Sequence, residues 1–176
     1  MQNINLPKQI ETKRLILKPH TLDKDYVQLW VDSVNQNLEW LQRFLPHFDK
    51  PVTFEQQKSF LELLISGKIE KNYAIWNKKT GELMGSIGAF NFEENEAEVA
   101  ILLFKQFSGF GYGTEAIGAF ENVLFDAGIK EIVLKIDASN MRSQRIAQKQ
   151  GYKKTDSDHP DPQFLFYKKV KENPHA

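Results

Sequence analysis

Gln106-Phe-Ser-Gly-Phe-Gly-Tyr-Gly-Thr-Glu-Ala116 links an apolar, strand-like run at residues 99–104 to an amphipathic, helix-like run at residues 115–127. Glycines alternate through it at Gly109, Gly111 and Gly113. A strand that turns through such glycines into a helix leaves a row of backbone N–H groups without intrahelical partners, and the helix dipole adds partial positive charge there. The turn is therefore suited to a phosphate or diphosphate. Its sequence argues against two common phosphate binders. A Walker loop needs a lysine after the glycines, and none follows. A dinucleotide fingerprint needs a third glycine where Thr114 stands, and it opens a βαβ unit rather than following an antiparallel meander. A plain strand-to-helix turn is the alternative that the glycines alone leave open.

Working outward, Leu15–Lys18 reads as a short strand. Thr21 precedes a helical pattern with Tyr26, Leu29, Trp30 and Val34 on one face. Residues 38–48 read as irregular and aromatic. Thr53 with Gln56 resembles a capping box, and Phe60, Leu61, Leu64 and Ile65 follow at helical spacing up to Gly67. Residues 73–76, 83–92 and 96–104 are strands, with turns at Lys79-Thr-Gly81 and residues 93–95. The helix after the glycine turn buries Ile117, Phe120, Leu124 and Ala127 and stops at Gly128. Residues 131–136 form a strand, Asn140 caps a helix that ends at Gly151, and residues 163–170 form the last strand after a loop at 156–162. This order predicts an α/β (α+β) chain with three layers, α/β/α, around a mixed, mostly antiparallel sheet, organised as one domain over residues 1–176.

The composition bounds the function. Lys+Arg and Asp+Glu both number 23, so the net charge is zero. A dedicated nucleic-acid binder carries a basic excess, so no direct nucleic-acid partner is expected. With no cysteine, disulfides, thiolate nucleophiles and Cys-bound metals are absent. The polar start at residues 1–14 has no apolar signal core, and no run reaches the roughly 20 apolar residues of a membrane span. A cytoplasmic location, as monomer or homodimer, is expected. His20, His47, His159 and His175 are scattered without metal-ligand spacing, and no metal site is expected.

Several spaced blocks together resemble the GNAT superfamily of acetyl-CoA-dependent N-acetyltransferases. Gln106, Gly109 and Gly111 match its Gln/Arg-x-x-Gly-x-Gly/Ala signature. The run from Gly109 to Ala116 resembles the Rim-type branch of ribosomal-protein N-acetyltransferases. Asn140-Met-Arg-Ser143 followed by Ala147 and Gly151-Tyr152, the early block Glu11-Thr-Lys-Arg-Leu-Ile-Leu17, and Trp40-Leu agree with it. The resemblance implies transfer of an acetyl group from acetyl-CoA to a primary amine, either a protein N-terminus or a small amine. It also implies that main-chain amides from Phe107 to Thr114 (Phe107, Ser108, Gly109, Phe110, Gly111, Tyr112, Gly113, Thr114) cradle the CoA diphosphate behind Gln106. The strand ahead of the turn would splay from its neighbour and bond the pantetheine arm through Ile101, Leu102 and Leu103. An N–H of Ile101 or Leu102 would face the oxyanion.

Glu98 is the expected general base, with a solvated acidic hairpin of Glu93, Glu94, Glu96 and Glu98 as the alternative. Alternation puts Glu96 and Glu98 on one strand face, with Val99 and Ile101 on the other. Many family members carry a tyrosine acid where this chain has Ala147; Ser143 is the expected substitute, and Asn140 a contact to the arm or simply a helix cap. Trp40, Phe44, His47 and Glu96 are the expected acceptor contacts, with core packing as the alternative for the aromatics. Lys105, Arg142, Arg145 and Lys149 are candidates for the CoA 3′-phosphate, or solvated helix faces. Two further readings are an acyl-CoA-binding sensor without chemistry, and a nucleotide-binding or scaffold protein whose glycines are structural.

Overall fold

The computed structural model describes residues 4–45, 48–66, 70–93, 95–155 and 161–172. The elements in chain order are β1 (Ile10–Glu11), β2 (Leu15–Lys18), α1 (Lys24–Gln36), α2 (Leu38–Leu41), α3 (Phe54–Ser66), β3 (Glu70–Asn77), β4 (Leu83–Glu93), β5 (Glu96–Leu103), α4 (Tyr112–Asp126), β6 (Glu131–Asp137), α5 (Met141–Lys149), β7 (Lys153–Thr155) and β8 (Phe164–Val170). All strands join one sheet in the order β1-β2-β3-β4-β5-β6-β8-β7. β5 and β6 pair parallel, joined by the crossover helix α4; the other described pairs are antiparallel.

Helices cover both faces. Asn72 and Tyr73 are adjacent on β3 and so point to opposite sides. The Asn72 amide oxygen contacts His20, which in turn meets Tyr26 of α1. The Tyr73 ring packs edge-on against Phe120 of α4, at 5.8 Å between centroids. Leu15, Leu17, Ile75, Ile87, Phe104, Phe120 and Leu124 have no more than trace exposure. Each such side chain contributes about 1.5–3 kcal/mol by leaving water.

Local chemistry sets the helix ends where the sequence predicts them. Thr53 and Gln56 form a reciprocal capping box, with bonds of 3.3 Å and 2.9 Å. Asn140 Oδ1 accepts from Ser143 N at 3.1 Å, and Gly128 closes α4 with φ +102°. Other expectations change. α4 begins at Tyr112, three residues ahead of the expected Glu115, because Gly111 already occupies the cap position with φ +81°. The first part of the stretch read as irregular is the helical turn α2. β1 and β7 are two and three residues long, too short to show a period. Leu29, Phe60 and Ile65 are exposed, since the stripes that α1 and α3 bury are narrower than their apolar patterns. Gly67 and most of the 156–162 loop lie outside the described residues. Among the described residues no helix is long and apolar enough to cross a membrane.

His20 is buried between α1 and β3. A neutral ring satisfies both contacts: the Tyr26 hydroxyl donates to Nδ1 and Nε2–H donates to Asn72 Oδ1, each at 2.7 Å. Burial pushes its pKa below the ordinary 6.5 and outweighs the Asn72 contact. Below about pH 6.5 the unfolded chain therefore binds a proton that the folded chain refuses, and stability falls as pH falls. Denaturant unfolding between about pH 7.5 and 5.5 is expected to show this loss, with a limiting slope of about 1.4 kcal/mol per pH unit. His20→Gln is expected to flatten that slope while lowering stability overall; an unchanged slope would remove His20 as its source.

Candidate active site

β5 and β6 pair over only three positions, Glu96↔Glu131, Ala97↔Ile132 and Glu98↔Val133. Beyond Glu98 they diverge. β5 stays on β4 as far as Gly85↔Leu103, and β6 stays on β8 along its whole length. The gap is a cleft of about 440 Å³.

The direction of the main chain along this gap follows from two contacts. Phe104 N donates to Met84 O at 3.0 Å, toward β4. A Cβ added at Gly85 would lie 1.9 Å from Leu102 O, so that carbonyl also points at β4. Successive residues alternate sides. The outward peptide groups are therefore those of Ile101 and Leu103, and Leu102 is turned away. Leu103 O is already taken by the Trp40 indole N–H at 3.1 Å. Of the two residues expected to offer an N–H to the oxyanion, Ile101 has the suitable orientation.

At the closed end of the cleft stands Glu98, whose carboxylate accepts from Asn91 Nδ2 at 3.0 Å. Trp40 and Phe44 form one wall. Asn140, Ser143 and Arg142, at the start of α5, form another; Arg142 Nη1 donates to Ser108 Oγ at 2.6 Å, and its guanidinium lies 5.3 Å from the Trp40 ring centre. Gly113 lets α5 close in: a Cβ there would stand 3.0 Å from Ile146 Cδ1. The sequence reading missed the β6 and β8 side, where Lys135, Asp137 and Phe164 line the cleft. Period-2 alternation on residues 131–136 was the available signal for Lys135. Burial opposes ionisation of Asp137, but donors from Ser139 and Gln163 outweigh it and hold the carboxyl below its ordinary range.

Glu96 does not line the cleft. Lys168 Nζ holds it at 2.9 Å and Glu131 at 2.5 Å, and the neighbouring Glu131 raises the Glu96 pKa. His47 lies outside the described residues. Lys105, Arg145 and Lys149 are exposed and away from the cleft lining.

The turn narrows the expected cradle. Gln106 is exposed, and Phe107 is buried as an anchor. Phe107 N and Ser108 N are already bonded to Phe104 O and Lys105 O. The first amide of α4 with a helical partner is Glu115 N, on Gly111 O at 3.1 Å. Among the described residues the amides of Gly109, Phe110, Gly111, Tyr112, Gly113 and Thr114 have no partner. Gly109 and Gly111 reach this geometry with φ +93° and +81°. A run of open donors on two left-handed glycines at the start of a long helix fits a diphosphate.

A family model described as an acetyltransferase (GNAT) domain matches residues 14–153. The chain belongs to the GNAT acetyltransferase family. It is thus an acetyl-CoA-dependent acetyltransferase. Solved structures agree on the fold. The microcin self-immunity acetyltransferase MccE, crystallised with acetyl-CoA and AMP, superposes with a TM-score of 0.81 at 19% identity, over 91% of this chain and 94% of that one. The ribosomal-protein α-N-acetyltransferase RimL, in complex with coenzyme A, gives 0.78 at 19%, over 92% and 97%. A GNAT-family acetyltransferase from Bacillus anthracis gives 0.75 at 16%, over 92% and 98%. No curated protein matches the sequence.

Gly111→Val is expected to abolish the thermal shift that CoA produces, since a β-branched residue at this φ costs upward of 1–2 kcal/mol (an order-of-magnitude figure) and displaces the donors. Its circular dichroism should remain that of a folded chain. A CoA shift equal to wild type would show that the turn does not hold the cofactor.

Proposed function

We propose that this acetyltransferase acts on a primary amine, a protein N-terminal α-amino group or a small amine, with Glu98 as general base. The observation that carries this reading is the juxtaposition of Glu98 and the outward N–H of Ile101 in one cleft. Acetyl-CoA supplies an activated acetyl thioester. The open amides from Gly109 to Thr114 would hold its diphosphate. Ile101 and Leu103 would bond its pantetheine arm as a strand edge bonds an added strand. The Ile101 N–H then faces the developing oxyanion.

The attacking amine must be neutral. An α-amino group titrates near about 7.7–8 and lysine near about 10.4, so a base raises the reactive fraction. Glu98 and Ile101 are three residues apart on one strand, roughly 10 Å between Cα atoms. A glutamate side chain spans less than half of that. The proton therefore passes from the amine to Glu98 through water. Asp137, four residues along β6 from the Val133 that faces Glu98, adds a second carboxylate to the cleft lining. Ser143 is half-buried in the cleft wall, and we assign it to hydrogen-bonding the leaving sulfur. Ala147 is fully buried and supplies no proton. Trp40 and Phe44 would shape the acceptor side. The name of the RimL neighbour favours a protein N-terminus as acceptor.

Incubation with acetyl-CoA and a mixed amine and peptide library, read by mass, tests the assignment. Acetylated products are expected; their complete absence alongside tight CoA binding would indicate a sensor instead. Glu98→Gln is expected to lower turnover at neutral pH by about 100-fold, the usual scale of a lost general base. Acetyl-CoA affinity should change by less than about twofold. The defect should shrink as pH approaches the amine's own pKa. Unchanged turnover across the pH range would remove Glu98 as base.

A further inference from the structure

We propose that Arg14, immediately before β2, is a positioning residue for the cofactor's diphosphate, fixing the glycine turn and cancelling the charge of Glu115. The proposal rests on the acetyl-CoA dependence of the family, and not on Glu98 or the identity of the acceptor.

Glu115 lies in the first turn of α4. A carboxylate there complements a helix dipole. It also sits within a turn of the amides that would bind a diphosphate, where two like charges oppose each other. The fold deals with this conflict by tying the carboxylate to the edge of the sheet. Thr12 Oγ donates to Glu115 at 2.6 Å, Arg14 N at 2.8 Å and Arg14 Nε at 2.6 Å. Burial opposes ionisation of Glu115, but these donors outweigh it and keep it charged.

The same guanidinium grips the turn itself. Arg14 Nη1 donates to Phe110 O at 3.0 Å. Its central carbon lies 4.3 Å from the Tyr112 ring centre. Nη2 lies 3.5 Å from where a Gly111 Cβ would stand. One side chain thus contacts the turn before, at and after Gly111, the residue held at φ +81°. Nε serves the carboxylate while Nη1 serves the carbonyl, a division that a planar fork allows and a lysine point charge does not. The early Thr12–Arg14 block and the glycine block, about 100 residues apart in the chain, act as one device.

The test uses the full chain and direct binding. Calorimetry with acetyl-CoA is compared with thermal shift by a high concentration of acetyl-pantetheine, which lacks the diphosphate. Arg14→Leu is expected to weaken acetyl-CoA binding by about tenfold or more, the scale of a lost charge-assisted contact. The acetyl-pantetheine shift should stay at the wild-type level. Arg14→Lys, which keeps the charge without the fork, should fall between the two. Adding Glu115→Gln to Arg14→Leu should recover part of the lost affinity, because the uncompensated charge is gone. Wild-type acetyl-CoA affinity in both Arg14 variants would overturn the proposal. Equal loss of both ligands would also overturn it, by revealing general damage to the cleft.

Discussion

The parting of β5 from β6 after Glu98↔Val133 is the constraint on which the rest depends. Neither strand is free to swing back, because β4 holds one and β8 the other. The outward peptide groups of Ile101 and Leu103 therefore lack a strand partner. An unpaired backbone group away from water costs about as much as a lost hydrogen bond, so such an edge is satisfied by side chain, solvent or ligand. The protein answers part of the demand itself, with the Trp40 indole on Leu103 O. The remaining donors are left for an extended ligand. A binding slot thus follows from strand geometry alone, before any catalytic side chain is considered.

The two ends of this slot differ in electrical character. At the glycine turn the attraction comes from uncharged main chain, and the nearby Glu115 carboxylate is paired with Arg14. At the other end, where β5 and β6 part, stands the Glu98 carboxylate, and further along β6 Lys135 Nζ lies 4.2 Å from the Phe164 ring centre.

Much of this was legible in the sequence, wherever the controlling interaction is local. Thr53 and Gln56, or Asn140 and Ser143, lie three residues apart, and their spacing announces the cap they make. The glycines of the turn declare their φ values by being glycines. Long-range features were not legible. Nothing in the β-branched run at residues 131–136 says that its partner strand leaves after three pairs. The pairing of Arg14 with Glu115 joins blocks that could be read only separately. Glu96 and Glu98 are alike in sequence, yet Glu96 sits where β5 and β6 still pair and is held by Lys168 on β8. Leu29 and Phe60 have core-like spacing yet face outward, because helical period gives an orientation but not the width of the face that a neighbour covers.

Recognition through main-chain amides at Gly109–Thr114 has a consequence for how far such proteins can drift. A peptide N–H is present whatever side chain it carries. Selection on the donor turn therefore acts on backbone shape, a few glycines and the brace that steadies them, and leaves most other positions free to wander. Structures that superpose with TM-scores of 0.75 to 0.81 share only 16–19% of their residues with this chain. What these chains have in common is a curve of the backbone rather than its letters.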